Sequence, residues 1–423
     1  MNHKNMFFIT GPIGSVKSSN QSFFNTLKAY LDEGYNVYHF AFYSKNNKKY
    51  DNSYFDNYDN YKFIGISSFL DSFRNLKKLI KIKKQNNKQY KIPEPNQIVM
   101  PESEVNKFHF IFSKIYTLFE TIRVILYSMF IKPDIIYSYE VFSVKTGKII
   151  SNLYKIPFVK RFQGTFIDYK NIESKRTKFH KKAYEIKSNL VVIANDGTKG
   201  DKVLKKLGFE NEQILFILNG LDERIKKEVE SNQIETLRNK ITNNKDYFIM
   251  GIFNRFYPFK RIDRAIYLLK QAIDEELNPL LLIGGLGGPT QESVKQYAKN
   301  LQVDNNIIWL GQIKYEKMIE YYSICDTVLI LNDYANTGNQ VIETAYLNIP
   351  TIATDDENNS EILNYENMYY IKPENFSEEA ILKLKEIKNN LLYNLNREKN
   401  EQILFWNERM KIEIQKVNTL IKK

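Results

Sequence analysis

The chain has 423 residues, 43% hydrophobic and 26% charged, the profile of a folded protein too long for one comfortable core. Lys and Arg number 61 against 49 Asp and Glu, a formal balance of +12. The single cysteine, Cys325, excludes a disulfide framework and a cysteine-built zinc site, and the histidines His3, His39, His109 and His180 are too scattered for a metal cluster.

The amino terminus lacks the long apolar run of a secretory signal. Met6 to Thr10 is a short apolar run of strand type, followed by the glycine loop Gly11-Pro-Ile-Gly14-Ser15. Phe23, Phe24, Leu27 and Leu31 then recur at the spacing of one helical face, Gly34 ends the helix, and Tyr35 to Ala41 reads as the next strand. Strand, loop, helix, glycine, strand is a parallel βαβ unit.

Phe108 to Ile131 is the most apolar stretch, interrupted by Lys114, Glu120 and Arg123. A bilayer span asks for about 20 largely uncharged residues, so this segment reads as a buried amphipathic helix. Strands follow at Ile135 to Ser138, Pro157 to Arg161, Asn189 to Ala194 and Ile214 to Leu218, apolar runs of the kind a parallel sheet covers on both faces.

The polar interval Glu223 to Lys245 separates this series from a second. There, strands at Tyr247 to Phe253, Pro279 to Ile283, Asn306 to Leu310, Thr327 to Leu331 and Thr351 to Thr354 alternate with helical patterns. The expected architecture is α/β, two doubly wound Rossmann-like parallel sheets facing a central cleft. The boundaries are 1–222 and 223–401, in a soluble, cytoplasmic protein. Ligands of such sheets sit at the carboxyl ends of the strands.

Gly11 to Ser18 resembles a phosphate-binding P-loop, but that loop needs glycine immediately before the lysine, and Val16 stands there. The turn (Gly11, Gly14, Ser15) is better suited to letting a substrate approach the backbone. In the second series, Arg255 and Lys260 share one short loop directly after a strand, as needed to neutralise a diphosphate. Charge alone also allows a solvated basic loop. Further on, Gly338, Asn339 and Gln340 open a helix whose N–H groups would face an anion, and Glu343 lies one turn inside, within reach of a ribose diol. A first-turn glutamate also simply offsets a helix dipole.

With these residues in place the sequence resembles a retaining GT-B-fold glycosyltransferase of family 4. The match rests on Arg255 and Lys260, Ile283-Gly284-Gly285, Gly338 to Glu343 continuing into Ile349-Pro350-Thr351-Ile352, Asn219-Gly220-Leu221-Asp222, and Trp406-Asn-Glu-Arg409. The resemblance implies that Arg255 and Lys260 hold the donor diphosphate and that Glu343 binds the ribose. It also implies that a terminal helix, 402–423, crosses back to pack on the first domain.

No metal or other cofactor is implied where side chains supply the cations. Two departures stand out. Ala335 replaces a second glutamate of the family, leaving Asn332, Asp333 or Asn336 to reach the donor sugar. In the first domain a family histidine is absent, and Gln163, Thr165 and Asp168 occupy the corresponding loop.

The expected activity is transfer of a sugar from a nucleotide sugar to a glycan or lipid-linked acceptor. The alternatives are a non-catalytic sugar- or partner-binding relative, motivated by Ala335, an epimerase, or a phosphorylase. The basic stretch Arg74 to Lys91, without an acid, suits either an anionic membrane surface or a solvated excursion; no motif for nucleic acid accompanies it.

Overall fold

The computed structural model describes residues 4–13, 21–43, 53–67, 90–101, 107–174, 177–227, 229–357, 359–391, 400 and 402–421. Gly14, Ser15 and all of the basic stretch up to residue 89 lie outside them.

The chain divides into two compact units. The first comprises Met1–Gln85, Ser103–Gly220 and Phe405–Lys423; the second comprises Asn86–Glu102 and Leu221–Leu404. The segment 86–102 thus belongs with the second unit, whereas the sequence pattern assigned it to the first. The reason is a set of hydrogen bonds: the carbonyls of Glu94, Pro95 and Gln97 accept from the guanidinium groups of Arg261 and Arg264.

In the first unit the strands are β1 (Asn5–Ile13), β2 (Asn36–Tyr43), β3 (Tyr61–Ser67), β4 (Ile135–Tyr139), β5 (Phe158–Phe162), β6 (Leu190–Ala194) and β7 (Ile214–Ile217). They form one parallel sheet in the order β3-β2-β1-β4-β5-β6-β7. Its helices are α1 (Gln21–Asp32), α2 (Lys107–Ser128), α3 (Val144–Tyr154), α4 (Lys178–Glu185) and α5 (Gly200–Lys206). β4, β5 and β6 are buried at every position; β6 is an unbroken apolar run, and β5 buries Lys160 and Arg161 as well.

The carboxyl-terminal helix Trp406–Ile421 packs in this unit. Trp406, Met410, Ile414 and Val417 recur at helical spacing and join the core formed by Phe8, Leu27 and Tyr137. A buried charge cluster fixes its register. Glu413 accepts from Arg161 at 2.8 Å, from Tyr137 at 2.6 Å, and from Arg409. Burial pushes the Glu413 carboxyl up, but the two guanidinium groups outweigh it and hold it below the usual glutamate range.

The second unit has α6 (Ser231–Thr242), β8 (Phe248–Phe253), α7 (Ile262–Asp274), β9 (Pro279–Gly284), α8 (Gln291–Asn300), β10 (Ile307–Gly311), α9 (Tyr315–Ile324), β11 (Thr327–Ile330), α10 (Asn339–Tyr346), β12 (Thr351–Thr354), α11 (Asn359–Ile362), β13 (Met368–Ile371) and α12 (Phe376–Leu391). Its parallel sheet runs β10-β9-β8-β11-β12-β13. The strand order reverses between β8 and β11, so the topological switch point lies at the carboxyl ends of these two strands. The corresponding point of the first sheet lies between β1 and β4.

The segment expected to be a buried helix is helical, but it is buried on one face only: Tyr116 and Val124 turn inward together with Thr117, Glu120, Thr121 and Ser128, while Leu118, Ile122 and Leu126 are exposed. No helix among the described residues is long and apolar enough to cross a membrane.

Candidate functional site

The second sheet's switch point is where the cationic loop and the glycine-opened helix meet. Phe253 ends β8, and Asn254 to Lys260 follow it at once. Arg255 is exposed, with its guanidinium 5.5 Å from the Tyr257 ring, and Lys260 ends a short 3-10 turn, its ammonium 5.4 Å from the Phe259 ring. Gly338 is the N-cap of α10 in extended conformation. The first turn of α10 uses the Gly338 carbonyl, accepting from Val341 and Ile342, as an amino-terminal helix end does. Gln340 does not offer its side chain outward: its amide donates to the Phe253 carbonyl, tying α10 to the end of β8.

Close backbone approach sews the neighbouring strand ends into the same edge. Asn254 N–H donates to Gly284, Phe256 N–H to Gly287, and Gly285 N–H to Gly311 at 2.7 Å. Gly285 has φ +138°, and a Cβ there would lie 1.9 Å from the Asn254 carbonyl oxygen, so only glycine fits. Beside it opens a pocket of about 340 Å³ lined by Phe253, Asn254, Arg255, Gly285, Ile313 and Met318, among others. An apolar slot with a cation at its rim suits a flat heterocycle joined to an anion.

Glu343 is buried, and its carboxylate accepts from Tyr315 at 3.1 Å and Tyr322 at 3.0 Å. Burial and then the adjacent Glu343 charge raise the Tyr322 phenol well above its ordinary value, so Tyr322 remains a donor at all working pH. Tyr315 in turn lies 4.3 Å beneath the Arg224 guanidinium. The carboxylate is therefore held in one orientation, one turn inside the helix opening.

Of the residues left to stand in for the missing glutamate, Asp333 is not available. Its two carboxylate oxygens accept from Arg261 at 2.9 Å, from Arg264 and from the Val99 N–H at 2.8 Å, all within a fully buried cluster. That use follows from its position: Asp333 N–H donates to the Phe259 carbonyl, so it clamps the cationic loop to the glycine loop. Asn332 is buried against Asn254. Ala335 adopts a left-handed backbone, φ +57°, which carries the loop toward Gly338. Asn336 is 2% exposed, and its Oδ1 has no hydrogen-bond partner among the described residues. A buried amide oxygen left alone costs about 1–3 kcal/mol, so it is the loop's remaining group for a hydroxyl donor.

In the first unit, Gly11 lies near the end of β1, where a Cβ would come 2.8 Å from Phe142 Cβ; packing alone requires this glycine. Gln163 directly follows β5 and donates through its amide to Ser22 Oγ and Tyr139 OH, both at 2.6 Å, leaving its carbonyl oxygen for a ligand. Thr165 is buried and its hydroxyl accepts from Ile167 N–H, and exposed Asp168 accepts from Lys170 N–H. Both side chains shape their own loop rather than reach outward. Gly14 and Ser15 lie outside the described residues. His39 is buried between Thr10 and Tyr61, and burial lowers its pKa to about 3, the state of a packed neutral ring.

Sequence reasoning missed Glu140. It follows β4 at the first sheet's switch point in a left-handed conformation, φ +67°, and accepts from the Gln163 N–H at 2.9 Å. Burial raises its carboxyl to about 7, with Arg161 opposing and Asp196 adding to the effect. The signal was a charged residue directly after an apolar strand, Ile135 to Tyr139. Because the folded form binds its proton more tightly than the unfolded chain, this group's contribution is full below about pH 4.5 and is lost as pH rises through about 7. Thermal melts from pH 5 to pH 8 are expected to show a fall in midpoint that Glu140→Gln reduces; equal slopes in both proteins would contradict the burial argument.

A doubly wound domain with cations and a helix opening at its switch point is a setting suited to an anionic ligand. Residues 233–402 match the family model described as glycosyl transferases group 1. The fold over nearly the whole chain is similar to that of solved GT-B glycosyltransferases. One is Anabaena Alr3699/HepE in complex with UDP and glucose (14% identity, 99% of this chain and 100% of that chain, TM-score 0.65). Another is sucrose-phosphate synthase from Thermosynechococcus elongatus (14%, 99% and 95%, 0.64), and a third is WaaG, a glycosyltransferase involved in lipopolysaccharide biosynthesis (13%, 99% and 97%, 0.59). No curated protein matches the sequence.

Proposed function

We propose that the protein transfers a sugar, with retention of configuration, from a nucleoside-diphosphate sugar to a glycan or lipid-linked acceptor. The observation that carries this reading is the convergence of Arg255, Lys260 and the amino end of α10 on the second sheet's switch point. Breaking a sugar–phosphate bond develops negative charge on the departing diphosphate. Arg255 binds its oxygens in pairs, Lys260 adds a point charge, and the N–H groups at Gly338, Asn339 and Gln340 complete the cradle. Stabilisation by side chains and amides makes a metal unnecessary to the reading.

Glu343, oriented by Tyr315 and Tyr322, accepts from the ribose diol, and the pocket beside Gly285 receives the base. Asn336 takes over the sugar hydroxyl contact from the glutamate that Ala335 replaces. Gln163 and Glu140 lie on the first unit's sheet edge and are assigned to the acceptor side, with Gly11 and the turn after it. That the similar Anabaena protein was solved with UDP and glucose supports uridine as the base. The non-catalytic alternative draws on Ala335 alone.

The test is a thermal-shift screen over UDP, GDP, ADP and their sugars, since a ligand that favours the native state raises its melting point. UDP and one UDP-sugar are expected to raise the midpoint, and Glu343→Ala to abolish most of the nucleoside-dependent part. A flat response to every nucleotide would remove the proposal.

A further inference from the structure

Two loops at the carboxyl edge of the first sheet are sewn into one surface. The loop after β5 begins at Gln163, and the loop after β6 runs from Asn195 to Lys199, where α5 starts. Thr198 Oγ1 accepts from the Thr165 N–H at 3.0 Å and donates to the Asp196 carboxylate, while the Tyr184 hydroxyl donates to the Gly164 carbonyl. Gly164 has φ +132°, and a Cβ there would lie 2.0 Å from Asp196 Oδ2, so the two loops press together with no room for a side chain. This scaffold presents a half-buried tyrosine among lysines. The ammonium groups of Lys170, Lys199, Lys202 and Lys206 lie 5.8, 5.7, 5.2 and 6.0 Å from the centre of the Tyr169 ring.

An exposed ring attracts a cation only weakly, and four like charges gathered at one ring repel one another. The neighbouring acids do not offset them. Asp196 is engaged by Thr198, Glu173 pairs with Lys181, Asp168 accepts from the Lys170 N–H, and Asp201 lies in the first turn of α5. Lys170, Lys202 and Lys206 form no ion pair among the described residues. Over 168–170 and 199–206, five lysines stand against two acids. A solvated basic helix face would spread its charge outward, whereas these lysines come from two separate loops and converge on one ring. They do so on the sheet edge that carries Gln163 and Glu140. We infer that this surface is an anion subsite for the acceptor, which is a sugar bearing a phosphate or carboxylate group. The lysines meet the anion as point charges, and Phe166, 49% exposed in the same loop, offers an apolar face to the sugar ring. The inference rests on the reading that this edge takes the acceptor, and goes beyond it by naming the acceptor's charge.

The test is calorimetric titration of the full-length protein, at constant ionic strength, with glucose 1-phosphate, glucuronate and glucose. An anionic sugar should bind, less tightly as salt rises, and glucose should bind at least about tenfold more weakly. Binding of glucose 1-phosphate alone marks a phosphorylated acceptor and binding of glucuronate alone a uronic acid; either result, or both together, supports the inference. Lys202→Gln with Lys206→Gln should lower the affinity at least about tenfold without lowering the melting midpoint, because both side chains are exposed. Lys202→Arg with Lys206→Arg should retain the affinity, since the charge is kept. Arg255→Ala with Lys260→Ala should leave it unchanged. The inference is overturned if neither anionic sugar binds, if glucose binds as tightly, or if the glutamine variant binds like the wild type. It is equally overturned if Arg255→Ala with Lys260→Ala abolishes the binding, which would put the anion in the donor cradle. UDP-induced thermal shifts of the glutamine variant should match the wild type, so a failure of this subsite and a failure of the donor site read out separately.

Discussion

Lys260→Ala is expected to lower turnover by about 10²–10³-fold while leaving the melting midpoint within error of the wild type. Lys260 ends a half-buried surface turn, so its loss removes charge without opening the core. The charge it meets grows as the sugar–phosphate bond breaks, so the interaction is stronger in the transition state than in the bound donor. The loss should therefore fall mainly on kcat, with a smaller rise in KM for the donor. Arg255→Ala should behave similarly, and the double variant should lose less than the product of the two, because both cations serve one leaving group. Unchanged kcat in Lys260→Ala would remove the assigned role.

The second large effect concerns stability. Asp333→Ala is expected to destabilise the protein by about 3–5 kcal/mol, read from the urea midpoint. Arg261 and Arg264 are fully buried, and Asp263 pairs with Arg261 alone, so removing Asp333 strands a guanidinium in the interior. The damage should not stay local. Arg261 follows Lys260 directly, Asp333 precedes the Gly338 opening, and Arg261 and Arg264, which Asp333 pairs, hold the carbonyls of 94–97. Loss of the clamp should let both site loops drift and abolish UDP-induced stabilisation together with stability. A midpoint shift below about 0.5 kcal/mol would show that the cluster is solvated rather than buried.

How much of this was legible depended on burial. Strands covered on both faces, such as β6, β8 and β9, announce themselves as apolar runs, and their residues were identified from the sequence. β3 (Tyr61–Ser67) and β13 (Met368–Ile371) were not: Lys62, Gly65 and Ser67 interrupt β3, an edge strand, and β13 is only four residues long. Helix α2 differed from expectation for another reason: its apolar content was visible, but apolar residues lie on both of its faces, and only the tertiary arrangement decides that Tyr116 and Val124 turn inward while Leu118, Ile122 and Leu126 stay exposed.

At the site, Arg255, Lys260, Gly338 and Glu343 could be found because a strand end fixes where a following loop must lie. The partners of Glu343, Tyr315 and Tyr322, come from α9, 28 and 21 residues upstream, and no local pattern links them. Asp333 stood beside Asn332 and Asn336 as one of three residues able to reach the donor sugar, because all three lie in the loop after β11. Only the fold reveals that two arginines from α7 and the turn before it have already claimed it. The segment 86–102 was misassigned for the same reason: its hydrogen bonds are made by backbone carbonyls, to which sequence patterns are blind.

The central claim is that the second unit grips a diphosphate, and calorimetric titration of the wild-type protein with UDP and with uridine tests it most directly. The account predicts measurable UDP affinity and uridine binding weaker by at least about tenfold, since the phosphates meet two cations and a helix opening. Equal affinity for the two, or no heat with UDP at concentrations well above those of an ordinary donor site, would contradict it.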